Sequence, residues 1–368
     1  MIERLYQGAR TRQALQRFGL RRPSGLQPCF LMRVLLVRLG AFGDILHTLP
    51  LAADLVAAGH SVGWLCEDRW APVLEGSPAV ARIHRLPRKT LRTGSFAARF
   101  EAIRTTVADL RQGHYDVSID AQGLAKSAAW TLASDGILRL GHARPRAREG
   151  SWLASHRRQP MHSVHVIDQQ RDLGRLLGPK PDGAWQFPLP PWVHERAWAA
   201  GWLAEQRTTR PWMLNVGAGW PTKVWPQERQ IQFAVSLRER GLPLVLVWGS
   251  PAERSVAEAV LDAADHGWLA PATTIPQLAG LLAGAAVVVS GDTGPLHLAL
   301  ALGTPAVGLF GPVPAERNGP RGAGYRTLQA PGAAWERKDV SKVDMAAIQA
   351  SQVIAAAEAA LQDLTGPS

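Results

Sequence analysis

The chain has 368 residues, with 41 Lys and Arg against 30 Asp and Glu, a formal net charge of +11 at pH 7. At 46% hydrophobic and 19% charged it can bury a sizeable core, which excludes a globally disordered chain, and its length predicts two domains. Two cysteines, Cys29 and Cys66, exclude a disulfide framework or a cysteine zinc site and fit a reducing cytoplasm; no apolar run long enough to span a bilayer is free of Gly, Pro or charge.

Excess positive charge favours anionic partners: nucleic acid, a phosphorylated substrate or acidic lipid. Residues 1–32 carry Arg4, Arg10, Arg12, Arg17, Arg21 and Arg22 against Glu3 alone. They lack the apolar centre of a secretory signal, and read either as a basic extension suited to an anionic membrane or as sequence upstream of a true start at Met32.

The first predicted strand is Val34–Val37, followed by a turn with Gly40 and Gly43 and a helix from Ile45 to Ala58. Further strands are predicted at Val62–Leu65, Val117–Ile119, Trp212–Val216, Leu244–Trp248, Ala286–Ser290 and Ala306–Phe310. Helices are predicted at Phe96–Gln112, His165–Leu177, Glu228–Arg240, Ala252–Ala264, Ile275–Ala283 and Met345–Leu364. Apolar strands alternating with amphipathic helices predict parallel sheets covered on both faces. Pro and Gly clusters at 178–183 and 188–191 mark the boundary between two α/β halves. The basic residues Arg82, Arg85, Arg88, Lys89, Arg92, Arg99 and Arg104 are expected around a connection and a helix start. Arg139, Arg144, Arg146, Arg148, Arg157 and Arg158 are expected in a loop-rich stretch. Such runs are usually solvated faces, but clustering in one half points to a polyanionic substrate.

Four turns have chemical meaning. After the first strand, Asp44 stands on the first turn of a helix, as a general base toward a substrate hydroxyl or as a helix cap. Asn215–Pro226 runs from a strand into a Gly-rich loop with one cation, Lys223, placed for a phosphate or merely solvated; Thr222 breaks both the Walker A and the GxGxxG patterns. Glu253, just after another strand, suits ribose hydroxyls or the helix dipole. Val287–His297 ends a strand in Gly291-Asp292-Thr293-Gly294 with Pro295 at a helix start, where free amides attract phosphate; His297 follows one turn later.

These pieces, in this order, resemble the lipopolysaccharide heptosyltransferases of glycosyltransferase family 9. The opening MRVLLVRLGAFGDILHTLP is similar to the family's first strand and catalytic loop. Asp120–Ala128, DAQGLAKSA, is most like the type I branch, and TKVWP, WGSPAER and VVVSGDTGPLHLALALGTPAVGLFGP follow the donor-side motifs. The resemblance implies a GT-B architecture, α/β, with two Rossmann-like halves facing across a cleft. It implies an acceptor domain at 33–182, a sugar-nucleotide domain at 183–345 and a C-terminal helix and tail at 346–368; the basic extension at 1–32 lies outside the family pattern. It implies an inverting transfer of heptose from ADP-L-glycero-β-D-manno-heptose to a Kdo sugar of the lipid A inner core, at the cytoplasmic face of the inner membrane, with peripheral contact to anionic lipid. No cofactor, metal or nucleic acid is implied.

Carried over by position, Asp44 is the base and Arg38 lies near the acceptor. Lys223 contacts phosphate, Glu253 the ribose, Asp292, Thr293, Gly294 and His297 the diphosphate-heptose, and Ala218, Gly219 and Thr273 the donor. The chain departs from the type I pattern at Ala218 and Gly219, where two threonines are usual, so backbone amides replace their hydroxyls. Another transferase of the family, such as a type II heptosyltransferase or a surface-glycan enzyme, is the first alternative. A non-catalytic basic protein binding RNA or lipid is the second, and a nicotinamide dehydrogenase is disfavoured by the missing GxGxxG.

Overall fold

The computed structural model describes residues 31–178, 183–334 and 343–364. The leader up to residue 30, the proline-rich boundary at 179–182 and the tail beyond 364 therefore lie outside the described residues. The chain divides into two compact units between Pro190 and Pro191.

The first unit runs β1 (Arg33–Val37), α1 (Phe42–Ala57), β2 (Ser61–Glu67), β3 (Arg82–Leu86), α2 (Phe96–Gln112), β4 (Val117–Asp120), α3 (Ala125–Ala133), β5 (Leu138–His142), β6 (Arg157–Gln159) and α4 (Val166–Asp172). Its six strands are all parallel, in the order β3-β2-β1-β4-β5-β6. The second unit runs α5 (Val193–Glu205), β7 (Trp212–Asn215), α6 (Gln227–Glu239), β8 (Leu244–Val247), α7 (Pro251–Ala264), β9 (Trp268–Leu269), α8 (Ile275–Ala283), β10 (Val287–Gly291), α9 (Gly294–Leu302), β11 (Ala306–Phe310), β12 (Tyr325–Gln329) and α10 (Ala350–Gln362). Its sheet is ordered β12-β11-β10-β7-β8-β9, again parallel. Read outward from the first strand of each unit, both sheets follow the same 3-2-1-4-5-6 order, the Rossmann arrangement. Two such halves define the GT-B class.

The central strands are apolar on both faces because helices cover both: Val34–Val37, Leu244–Val247 and Val287–Val289 are essentially inaccessible. The second unit's core joins Trp212, Leu214, Phe233, Leu246 and Val289 to Val353, Ile354 and Ala357 of α10. The C-terminal helix therefore belongs to that unit, packing on α6, β10, β11 and β12.

The arginine clusters need correction. Arg82 and Arg85 lie in β3, Arg139 in β5, and Arg157 and Arg158 in β6, not in connections. β3 and β6 are the two edges of the first sheet, and charged side chains on an edge keep its open backbone from pairing with another chain. The helix expected at His165–Leu177 ends at Asp172 and continues only as a 3₁₀ turn at Arg175–Leu177. The C-terminal helix begins at Ala350, after a separate 3₁₀ turn at Met345–Ala347. Helices α3 and α5 were not anticipated.

Candidate active site

In a parallel sheet, ligands bind beyond the carboxyl ends of the strands, where the strand order reverses. That switch falls between β1 and β4 in the first unit and between β7 and β10 in the second. The four loops there carry most of the residues singled out above.

Asp44 is the third residue of α1, and its side chain reaches back to accept from the Ala41 amide at 3.3 Å. Arg38, at the end of β1, donates from Nη2 to the same carboxylate at 2.6 Å. Both bonds fall on Oδ2. Among the described residues Oδ1 takes none, and the side chain is 40% exposed. The bond to the helix start therefore leaves the second oxygen of the same carboxylate available. Close packing requires Gly40 here: a Cβ would lie 2.6 Å from the Trp70 indole nitrogen.

Arg38 is placed differently from the expectation that it reaches the acceptor. It is 2% exposed, its Nη1 donates to the Ala121 carbonyl at 2.6 Å, and its Nε is buried. The guanidinium is thus committed on both terminal nitrogens and shielded from solvent, with Asp44 as its carboxylate partner. The Asp120–Gly123 turn holds it. Asp120 is buried and accepts from the Gln122 and Gly123 amides, while the Gln122 side chain accepts from the Leu39 amide at 3.0 Å. The quoted DAQG motif is therefore the clamp of the β1 loop.

Beside this loop is a cluster that reading along the chain did not find. Glu67, at the end of β2, donates its amide to the Leu39 carbonyl, and its carboxylate gathers Arg69 at 2.9 Å, Arg88 at 3.2 Å and Lys126 at 3.0 Å. Three cations share one carboxylate. They come from three separate stretches of sequence, so linear charge counting does not group them.

In the second unit, Lys223 donates from Nζ to the Asp292 carboxylate at 2.5 Å and to the Asp292 carbonyl at 3.2 Å. The ammonium has a third N–H, and the side chain is 18% exposed. Asp292 is buried; its other oxygen takes His297 Nε2 at 3.2 Å and the Asn318 amide nitrogen. Burial pushes this carboxyl up, but the His297 bond and charge and the Lys223 ammonium outweigh it and hold the group well below the usual carboxylate range. Asp292 and His297, both expected at the donor, are bonded to each other, and Asp292 also holds Lys223. Asn318, on the short helix Ala315–Asn318, was missed because nothing local marks it.

Thr293 caps α9 without a side-chain cap bond, so the first-turn amides of that helix have no side-chain acceptor. Its hydroxyl lies within hydrogen-bond reach of Ser290, Asn215 and the Gly291 carbonyl. Asn215 also donates to the Gly217 carbonyl and so ties the β7 and β10 loops together. Ala218 and exposed Gly219 form the loop tip, next to Trp220. Glu253 accepts from the Gly249 amide at 2.7 Å and lies against Gly217, where a Cβ would meet its carboxylate at 2.1 Å. Thr273 immediately precedes Thr274, the cap of α8.

Two Rossmann-type sheets with a paired carboxylate at one switch point and a paired cation with free helix amides at the other define a sugar-nucleotide transferase of the GT-B class. The sequence profile of glycosyltransferase family 9 (heptosyltransferase) matches residues 103–347, and the chain belongs to that family. It is 34% identical over 296 residues to lipopolysaccharide heptosyltransferase 1 of Pseudomonas aeruginosa, covering 76% of this chain and 79% of that protein. Among solved structures, the E. coli heptosyltransferase WaaC with ADP is 27% identical with a TM-score of 0.74, covering 89% of this chain and 100% of that one. The same enzyme with ADP-2-deoxy-2-fluoro heptose gives a TM-score of 0.70 at 27% identity, with 88% and 98% covered.

Proposed function

We propose that the chain transfers L-glycero-D-manno-heptose from ADP-heptose to a Kdo residue of the lipid A inner core, with inversion at the anomeric carbon. The observation that carries the chemistry is the half-exposed Asp44, fixed through one oxygen and open at the other. Asp44 takes the proton of the acceptor hydroxyl as that oxygen bonds to C1 of the heptose. The bond from C1 to the diphosphate breaks, and its electron pair leaves with ADP. Lys223 and the amides at Thr293 and Gly294 receive the developing charge; being preorganised by Asp292 and the helix, they act most strongly in the transition state. Glu253 takes the ribose hydroxyls, and the Ala218, Gly219 and Thr273 loops enclose the rest of the donor. Arg69, Arg88 and Lys126 receive acidic groups of the acceptor. The donor assignment draws support from the relatives, one of which was solved with an ADP-heptose analogue. The enzyme works peripherally at the cytoplasmic face of the inner membrane, where a lipid-linked acceptor is presented.

A mass-spectrometric transfer assay with ADP-heptose and a Kdo-bearing lipid A acceptor tests this. A gain of one heptose is expected. No gain from this pair, with a gain from another sugar nucleotide, overturns the donor assignment.

A further inference from the structure

Helix α2 carries one apolar stripe, Phe96, Phe100, Ile103, Val107 and Leu110. Its C-terminal end packs into the first unit, where Leu110 is buried and Val107 lies against the core. Its N-terminal end faces solvent: Phe96 is 87% exposed, Phe100 62% and Ile103 45%. Positions 96, 100 and 103 follow the helical i, i+4, i+7 spacing, so the three side chains form one stripe. Phe100 and Ile103 line a shallow apolar depression with Val107 and Ala108, edged by Arg104 and Arg111. Single exposed apolar side chains are ordinary; two phenylalanines and an isoleucine in register on one helix are not.

The charge around the stripe identifies what covers it. Residues 88–112 hold six basic residues, Arg88, Lys89, Arg92, Arg99, Arg104 and Arg111, against Glu101 and Asp109. Arg99 flanks the stripe on one side, and Arg111 and the Arg104–Glu101 ion pair on the other. Arg99 is fixed there by bonds to the Gly94 and Arg92 carbonyls, at 2.9 and 3.0 Å. An apolar stripe between cationic borders is the pattern of a helix lying in the plane of an anionic membrane, aromatic rings among the upper acyl chains and guanidinium groups at the phosphates. Among the described residues no helix is long and apolar enough to cross a bilayer, so lipid contact on this face is interfacial.

The geometry points to α2 as the membrane-docking face of this enzyme, with an anionic phospholipid surface as its partner. The inference rests on the reading that the acceptor is lipid-linked, and it names the surface that brings the chain to it. None of the three apolar side chains belongs to the machinery assigned above.

The test is co-sedimentation of the full chain with vesicles of phosphatidylcholine alone and of phosphatidylcholine mixed with phosphatidylglycerol, for the native chain and for F96S/F100S. The native chain is expected to prefer the anionic vesicles, to lose binding as salt rises, and to bind about tenfold more tightly than the variant. ADP binding and turnover of a water-soluble Kdo acceptor should be the same in both, which shows that the variant is folded. Equal binding of both chains to anionic vesicles places the lipid contact elsewhere and overturns the inference. So does the absence of binding to either vesicle, or a native dimer that F96S/F100S converts to a monomer. Failure of heptose transfer leaves the vesicle result readable, so the two readings fail separately.

Discussion

The two switch points use the same topology with opposite charge. In the first unit a buried cation, Arg38, holds a half-exposed carboxylate, Asp44. In the second a buried carboxylate, Asp292, holds a partly exposed cation, Lys223. The buried imidazoles follow the same inversion. His142 lies near Arg38 and Arg146, whereas His297 is bonded to Asp292. In each unit the buried partner fixes the outer one, which keeps the larger exposure. On the proposed function, a base for a hydroxyl and a clamp for a diphosphate arise from one fold by exchanging which charge is buried.

Removing the buried partner should break the two sites unequally. Asp292→Ala leaves the Lys223 ammonium, His297 and Asn318 without their shared acceptor in a buried setting. A loss of about 3–5 kcal/mol of stability is expected, measured by chemical denaturation. A loss below about 1 kcal/mol means the network is not held by Asp292. Arg38→Met should cost less, about 1–2 kcal/mol, because the abandoned Asp44 stays hydrated. Transfer should fall about tenfold while ADP binding is unchanged, since the base loses orientation but not identity. Transfer at the native rate would show that Asp44 needs no such partner.

The smallest effect is a pH slope confined to the first unit. Burial, then the charges of Arg146 and Arg38, push the His142 imidazole down from 6.5 to about 3. The unfolded chain takes up this proton below pH 6.5 and the folded chain does not. Stability from His142 is therefore complete above pH 6.5 and declines as pH falls toward about 3, by about 1.4 kcal/mol per pH unit. Denaturation between pH 4 and 6.5 should be flatter in His142→Phe by about that slope. An equal slope in both chains would remove His142 from the acid sensitivity.

The sequence showed most of the interior of each sheet and concealed its edges, along with the interior strand β5, whose Arg139 and His142 interrupt the apolar run. β1, β2, β7, β8, β10 and β11 are largely apolar because both faces are covered, and that signal is local. β3 and β6, with Arg82, Arg85, Arg157 and Arg158, look like loops because an edge strand carries charge to stay unpaired. At the sites, Gly–Asp turns after strands marked Asp44 and Asp292. Their pairings were not visible: Lys223 meets Asp292 across 69 residues, and Asn318 and the Glu67 cluster come together only through the fold. Burial was not legible either, since neither Arg38 nor His297 carries a sequence mark that sets a buried side chain apart from an exposed one.

The division of labour between the units is tested most directly by titrating ADP into Asp44→Asn and Lys223→Met by calorimetry, with transfer measured on the same preparations. Asp44→Asn should bind ADP as the native chain does and lose transfer by roughly 10²–10⁴-fold, the usual loss for a general base. Lys223→Met should weaken ADP binding by about tenfold or more. Native turnover in Asp44→Asn, or undiminished ADP affinity in Lys223→Met, would contradict the assignment of proton transfer to one unit and diphosphate binding to the other.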